Sequence, residues 1–174
     1  MIWGEDHMTE VGTVTGAAVH RPSGQGEALW AMGSLMEVKL HAEESGGALT
    51  AMEVTLPPGI ATPLHVHHRE AEAFYLHAGT LDYEAGGQLH RLAAGSLIWL
   101  PKDVPHRFRV TGDAPARFLA LGLPGGIDHL YQSVGVPADS RALPGAYPAE
   151  PELARWRTAA PAHGLEVLGP PLPG

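Results

Sequence analysis

In GIATPLHVHHREAEAFYLHAG, residues 59–79, two closely spaced histidines precede a carboxylate that opens an apolar run. Side chains alternate along a strand, so His65 and His67 would share one face and present both imidazoles to a single ion. Such a pair does not by itself define a site in a chain with 11 His. Glu72 begins Glu-Ala-Phe-Tyr-Leu, which reads as a buried strand. A carboxylate there needs a partner, because burying it unpaired is costly. A cation would supply one, and so would an arginine such as Arg91, Arg107 or Arg109. Further on, His106 stands between Leu97–Pro101 and Arg107-Phe108-Arg109. On a strand starting near Pro105, His106, Phe108 and Val110 share the inner face, and the two arginines face solvent.

Outward from this stretch, short apolar runs alternate with turn signals from Ala28 to Leu123. Before it lie Ala28–Met32, Leu35–Leu40 and Leu49–Leu56, the last stopped by Pro57-Pro58-Gly59. After it come Leu81–Glu84, Leu89–Leu92, Leu97–Leu100, His106–Val110 and Ala116–Leu123. With Leu64–His68 and Glu72–His77 this makes about ten strands, the pattern of an antiparallel all-β sandwich or barrel. No strand–helix alternation is present, which argues against a parallel α/β sheet.

The period changes after Pro124. Ile127, Leu130, Tyr131 and Val134 sit at i, i+3, i+4 and i+7 with Gly135 just beyond, predicting a short amphipathic helix. Glu152–Ala160 is a second short helix, with Leu153 and Trp156 on one side, and Leu165–Leu168 is a last apolar run. Three parts are expected: an N-terminal segment 1–27, a β-barrel domain 28–123, and an arm 124–174 that packs on the barrel and shapes its mouth. The arm is too short and proline-rich for a core of its own.

Gly59-x5-His65-x-His67-x4-Glu72-x6-Gly79 resembles the first motif of the cupin superfamily, and Gly95-x5-Pro101-x4-His106 resembles the second. Asp103 stands where the family has Gly, and Val110 where it often has Asn. Ala71 stands where related sequences often carry an acidic residue, so no supporting carboxylate is expected there. The resemblance implies an all-β cupin jelly-roll barrel with short C-terminal helices and one metal inside, held by His65, His67, Glu72 and His106. That ligand set suits one divalent transition metal, Fe, Mn, Ni, Co or Zn, rather than Mg or Ca. Four protein groups around an octahedral ion leave two positions for other ligands. Met52, Phe74, Phe108 and Phe118 are expected to line a substrate pocket. His68 and His77, by alternation, face away from the ligands.

The chain has 174 residues and a net charge of −8. It carries no basic block, which argues against a nucleic-acid partner. No stretch of about 18 apolar residues occurs, so no membrane span is expected. Met1 to Gly12 contains Glu5, Asp6 and Glu10 and no Lys or Arg, unlike a signal peptide, with either Met1 or Met8 as the start. The absence of Cys leaves any metal to His and carboxylates. A cytoplasmic location fits these features. A homodimer is expected because small barrels expose sheet edges, with the segment 11–40 as the pairing element.

The chain is similar to single-domain cupins of the quercetin dioxygenase-like group in its ligand set, in Ala73-Phe74-Tyr75, and in the tail Gly164–Pro171. That similarity implies a dioxygenase acting on a small hydrophobic enolisable substrate, flavonol- or diketone-like, with Glu72 as both ligand and base. The alternatives are a metal-dependent isomerase, cyclase or lyase that does not use dioxygen, and a non-catalytic small-molecule-binding cupin.

Overall fold

The computed structural model describes residues 17–145 and 150–174. Both candidate start methionines lie outside the described residues. Ten strands fill the expected region: β1 (Glu27–Ala31), β2 (Ser34–Leu40), β3 (Thr50–Leu56), β4 (Pro63–His67), β5 (Ala71–Ala78), β6 (Thr80–Ala85), β7 (Gln88–Ala93), β8 (Leu97–Leu100), β9 (His106–Thr111) and β10 (Ala116–Leu123). The arm adds α1 (Ile127–Val134), β11 (Val136–Pro137), α2 (Glu150–Ala159) and β12 (Leu165–Pro171).

Two antiparallel sheets face one another. One runs β11-β1-β2-β3-β10-β5-β8 and the other β12-β4-β9-β6-β7. This is the all-β jelly-roll arrangement. Strict alternation places the inner faces: Thr50, Met52, Val54 and Leu56 on β3, and Ala116, Phe118, Ala120 and Gly122 on β10, point between the sheets. The chain crosses from one sheet to the other between β4 and β5, and again between β5 and β6. The second crossing needs glycine. Gly79 has φ +80°, and a Cβ there would come within 2.7 Å of the Ala116 Cα and the Pro115 carbonyl.

The described residues of the arm pack on the barrel through α1, α2 and β12. On α1 Ile127, Leu130 and Val134 are buried, as their spacing requires. On α2 Trp156 is buried, and Glu152 accepts a hydrogen bond from the Met32 amide in the β1–β2 turn (2.5 Å). The run Leu165–Leu168 extends into β12, which pairs with β4 from Leu165↔His67 to Pro171↔Pro63. One expectation is corrected by this packing. Arg107 and Arg109 are half-buried rather than solvent-facing. Arg107 donates to Glu84 (2.9 Å) and to the Pro170 carbonyl (3.0 Å), and Arg109 reaches the Leu172 carbonyl (3.5 Å). In the described part of the segment 11–40, Leu35 and Met36 are buried, Trp30 and Met32 are half-buried, and β11 pairs with β1 at Leu29 and Trp30. No described helix is long and apolar enough to cross a membrane.

Asp128, fully buried near the start of α1, ties the arm to the barrel. It accepts hydrogen bonds from Thr50 Oγ1 (2.8 Å) and the Ala42 amide (3.2 Å), and lies 3.2 Å from His41 Nδ1. Burial alone would raise its carboxyl, but the Thr50 and Ala42 hydrogen bonds and the nearby histidines bring it below the ordinary 3.8. A folded-state pKa below the unfolded one adds stability above the unfolded value, and that stability fades as pH falls through the folded one. Asp128→Ala is expected to cost about 2–4 kcal/mol at pH 7, because it strands buried donors. Urea melts should show the gap between wild type and Asp128→Ala narrowing below pH 4; an unchanged midpoint at pH 7 would show that the tie contributes nothing.

Candidate metal centre

β4 and β9 are neighbours in one sheet, and their register sets His65 opposite His106. His67, two residues along β4, lies on the same face as His65. Glu72 comes from β5 in the facing sheet. All four side chains are buried, with His106 2% exposed and His67 3%. The donor nitrogens of the three histidines lie within 4.8 Å of one another.

Each imidazole is oriented through Nδ1. His65 Nδ1 is 2.7 Å from the Pro63 carbonyl, His106 Nδ1 is 2.9 Å from the Val104 carbonyl, and His67 Nδ1 is 3.0 Å from Glu70 Oε1. These acceptors favour the Nδ1–H tautomer and leave every Nε2 lone pair free. Glu72 Oε2 lies 3.2 Å from His106 Nε2 and 3.4 Å from His67 Nε2. Yet Glu72 Oε2 and His106 Nε2 have no hydrogen-bond partner of acceptable geometry, although both are buried. A cation bound between them would satisfy both. The arginine alternative for Glu72 is absent: Arg91 pairs with Asp82, Arg107 with Glu84, and Arg109 turns to Leu172.

The electrostatics favour the metal-binding forms of Glu72 and His65, whereas at His67 burial lowers the imidazole but the Glu72 and Glu70 carboxylates outweigh it and raise it above its ordinary 6.5. Burial raises the Glu72 carboxyl, but the His67 and His106 imidazoles outweigh it and bring it down to about 2, so it is ionised. Burial, reinforced by His106 and His67, lowers His65 to about 3 and keeps it neutral. The donor set of three imidazoles and one carboxylate fits a divalent transition metal.

Glu70 was not anticipated. It is 5% exposed and occupies the crossing between β4 and β5, where it accepts from His67. The supporting carboxylate expected to be missing at Ala71 is thus supplied one residue earlier. Its signal in the sequence is the three-residue spacing from His67 to Glu70. Asp103 keeps the turn that glycine makes in the family: its φ is +64°, its amide donates to the His67 carbonyl (2.9 Å), and its carboxylate meets His68 (2.7 Å). Aspartate is among the residues that tolerate this conformation. Val110 is buried in the core, and His68 and His77 are exposed.

A cavity of about 530 Å³ reaches His65, His67 and Glu72. Met52, Phe74, Phe108 and Phe118 all line it, with Phe74 stacked on Phe118 at 4.8 Å between centroids. Met36, Val54 and Ile60 extend its apolar wall. The arm completes it with Tyr131, Leu153, Trp156 and Arg157. Arg157 is the one basic side chain among the described lining residues, and it pairs with Glu150 at 2.7 Å. Burial and the Glu72 charge push the Tyr83 hydroxyl, also in the wall, well above its ordinary range and hold it protonated. A second group, His41, Glu43 and Asp128, also brings ligand-type atoms together. Its carboxylates are engaged by Thr50, Ala42 and His129.

Residues 52–122 match the model of the Cupin domain family. Quercetin 2,3-dioxygenase of Bacillus subtilis is 26% identical over 117 residues, which is 67% of this chain and 34% of that protein. Protein SchB of Streptomyces halstedii is 39% identical over 62 residues, 36% of this chain and 45% of the relative. The chain therefore spans less than half the length of these two relatives. Among solved structures, a predicted oxalate decarboxylase from Thermotoga maritima has a TM-score of 0.56 at 23% identity, covering 62% of this chain and 99% of that one. An RmlC-like cupin from Shewanella frigidimarina has a TM-score of 0.54 at 16% identity, covering 64% and 96%. At these identities the structural likeness establishes the fold. Residues 52–122 thus carry a cupin domain, set in a two-sheet jelly-roll barrel whose fold these structures share.

Proposed function

We propose that the chain is a metal-dependent dioxygenase acting on a small, hydrophobic, enolisable substrate of flavonol or diketone type. The observation that carries this reading is an ionised, buried Glu72 among three Nε2-directed imidazoles at the end of an apolar cavity. His65, His67, Glu72 and His106 would hold one Fe, Mn, Ni, Co or Zn ion. When bound, that ion supplies Lewis-acid polarisation of a substrate oxygen. The chain's own residues do the rest. Phe74, Phe108, Phe118 and Met52 exclude water and hold the hydrophobic body. Glu72 would serve both as a ligand and as the base that takes the enol proton. The similarity to a quercetin 2,3-dioxygenase supports the same substrate class. A small polyanion suits the site poorly, because the single lining arginine is already paired at the mouth.

The test is elemental analysis followed by an oxygen electrode with 3-hydroxyflavone and a β-diketone. Oxygen uptake that tracks substrate loss and disappears on chelation is the expected result. Turnover without oxygen would replace the reading with a metal-dependent isomerase, cyclase or lyase using the same four residues. Metal without turnover on either substrate would leave a small-molecule-binding protein.

A homodimer remains part of this reading, but at a different edge from that of segment 11–40. On β8, Leu97 and Trp99 are 65% and 52% exposed beside Tyr75 of β5, and β8 ends its sheet. A free edge of this kind is commonly covered by another chain.

A further inference from the structure

Tyr131 is carried by α1, at one edge of the stripe that buries Ile127, Leu130 and Val134. Asp128, about one turn away, fixes that helix on the barrel through Thr50 and the Ala42 amide. The Tyr131 ring packs against the core and lines the cavity, where it is half-buried. Its hydroxyl makes no hydrogen bond among the described residues, yet it is not sealed as the Tyr83 hydroxyl and the Trp156 N–H are. Burial, followed by the Glu72 and Glu70 charges, raises it above its ordinary 10, so it keeps its proton at neutral pH. A hydroxyl that lies inside the protein and still keeps open surface faces the cavity that its ring lines. The two carboxylates draw its hydrogen toward the histidine end. Outside the proposed metal ligands, the other polar side chains of the described wall are committed or closed. Ser34 donates to the Ala31 carbonyl, Thr62 accepts from the Phe108 amide (2.9 Å), Arg157 pairs with Glu150, and the polar atoms of Tyr83 and Trp156 are sealed. Tyr131 is thus the open, uncommitted donor of this wall.

We propose that Tyr131 is a substrate-binding residue whose hydroxyl donates a hydrogen bond to an oxygen of an uncharged, largely apolar ligand, at the end of the cavity that Glu72 faces. This rests on the reading of the cavity as a substrate site. No hydrogen bond joins Tyr131 to Glu72 or Glu70, so the donor is left for a ligand. A hydrocarbon of the same shape would strip water from the hydroxyl, return no acceptor and bind less well. An anionic ligand oxygen would meet the same two carboxylates, which favours a neutral acceptor such as a ketone. The arm then takes part in recognition through α1 and is not only a cover.

Flavone and 2-phenylnaphthalene, added to the full chain as purified, test this directly. They share a shape, but only flavone carries a ring ketone, and it lacks the enol that turnover requires. Tyr131→Phe should weaken flavone binding about three- to tenfold, the scale of one net hydrogen bond, and leave the affinity for the hydrocarbon unchanged. Tyr83→Phe is the control: its hydroxyl is sealed, so both affinities should stay as in the wild type. Infrared difference spectra give a second readout. The carbonyl stretch of bound flavone should lie at lower frequency in the wild type than in Tyr131→Phe, because a hydrogen bond weakens the C=O bond. Unchanged flavone affinity in Tyr131→Phe, an equal loss for both probes, an unmoved carbonyl stretch, or no flavone binding at all would overturn the proposal. If flavone binding depends on Tyr131 but no enolisable substrate consumes oxygen, the dioxygenase reading fails and the role of Tyr131 stands. If 3-hydroxyflavone is oxygenated while flavone binding ignores Tyr131, the reverse holds.

Discussion

Wild-type protein purified with a divalent transition metal is expected to carry about one ion per chain, and His106→Ala to lose it. The reasoning is geometric. His106 Nε2 and Glu72 Oε2 are 3.2 Å apart, buried and without a hydrogen-bond partner, so removing the imidazole leaves a buried carboxylate with a weaker cation site. His67→Ala should act as strongly, because it removes a second imidazole and also strands Glu70. Glu70→Gln makes a graded comparison. It keeps every proposed ligand but weakens the acceptor that orients His67, and a loss of about 10- to 100-fold in metal affinity is the usual scale for such a partner. The expected order is therefore near-complete loss in His67→Ala and His106→Ala, and retained but weaker binding in Glu70→Gln. Elemental analysis with competitive chelator titration measures all three. Unchanged metal content in both histidine variants would remove the metal centre from the account, and the dioxygenase reading with it.

Much of this arrangement is legible in the sequence because it is local. Alternation over Thr50–Leu56 and Ala116–Leu123 is a property of adjacent residues, and it orients both strands correctly without knowledge of their partners. The spacing of His65 and His67 works the same way, since period two alone puts both on one face. The helix over Ile127–Val134 follows from its apolar stripe and terminal glycine. What escapes is non-local. β12 contains Gly169, Pro170 and Pro171, which read as stops, yet an edge strand needs hydrogen bonds on one side only and tolerates them with shifts in register. Glu70 looks like a surface turn residue until the crossing from β4 to β5 folds it back onto His67. Trp156 is recognisable as an apolar residue of a short helix, but nothing near it in sequence shows that its N–H is left without a partner in a cavity wall. The solvent-facing assignment of Arg107 failed for the same reason, because its cover comes from Pro170, 63 residues away.

Truncation after Gly135 is expected to lower the melting temperature by about 10 °C or more, or to leave the protein poorly soluble. The shortened chain keeps α1 and its Asp128 tie but loses β11, α2 and β12. Three consequences follow from that list. β4 loses its only neighbour on one side, since β12 pairs with it from Leu165↔His67 to Pro171↔Pro63. The buried side chains of Trp156, Leu165 and Leu172 are withdrawn, and each large apolar group that leaves the core is worth roughly 1.5–3 kcal/mol. The cavity also loses the wall made by Leu153 and Trp156, so water reaches the phenylalanines that would hold a substrate. The loss of β12 has a further effect, because His65 and His67 lie on β4, which then becomes an edge strand. Metal affinity should therefore fall with stability even though no proposed ligand is deleted. The competing view is that a segment so rich in proline is a loose tail, which would predict no change. Three interactions oppose that view: Glu152 accepts from the Met32 amide, Arg107 donates to the Pro170 carbonyl, and the Trp30 indole donates to the Ala142 carbonyl at 2.9 Å. Differential scanning calorimetry and metal analysis of the two chains decide between them. Identical melting, solubility and metal content would show that the arm does not pack, and recognition of substrate would then rest on the barrel alone.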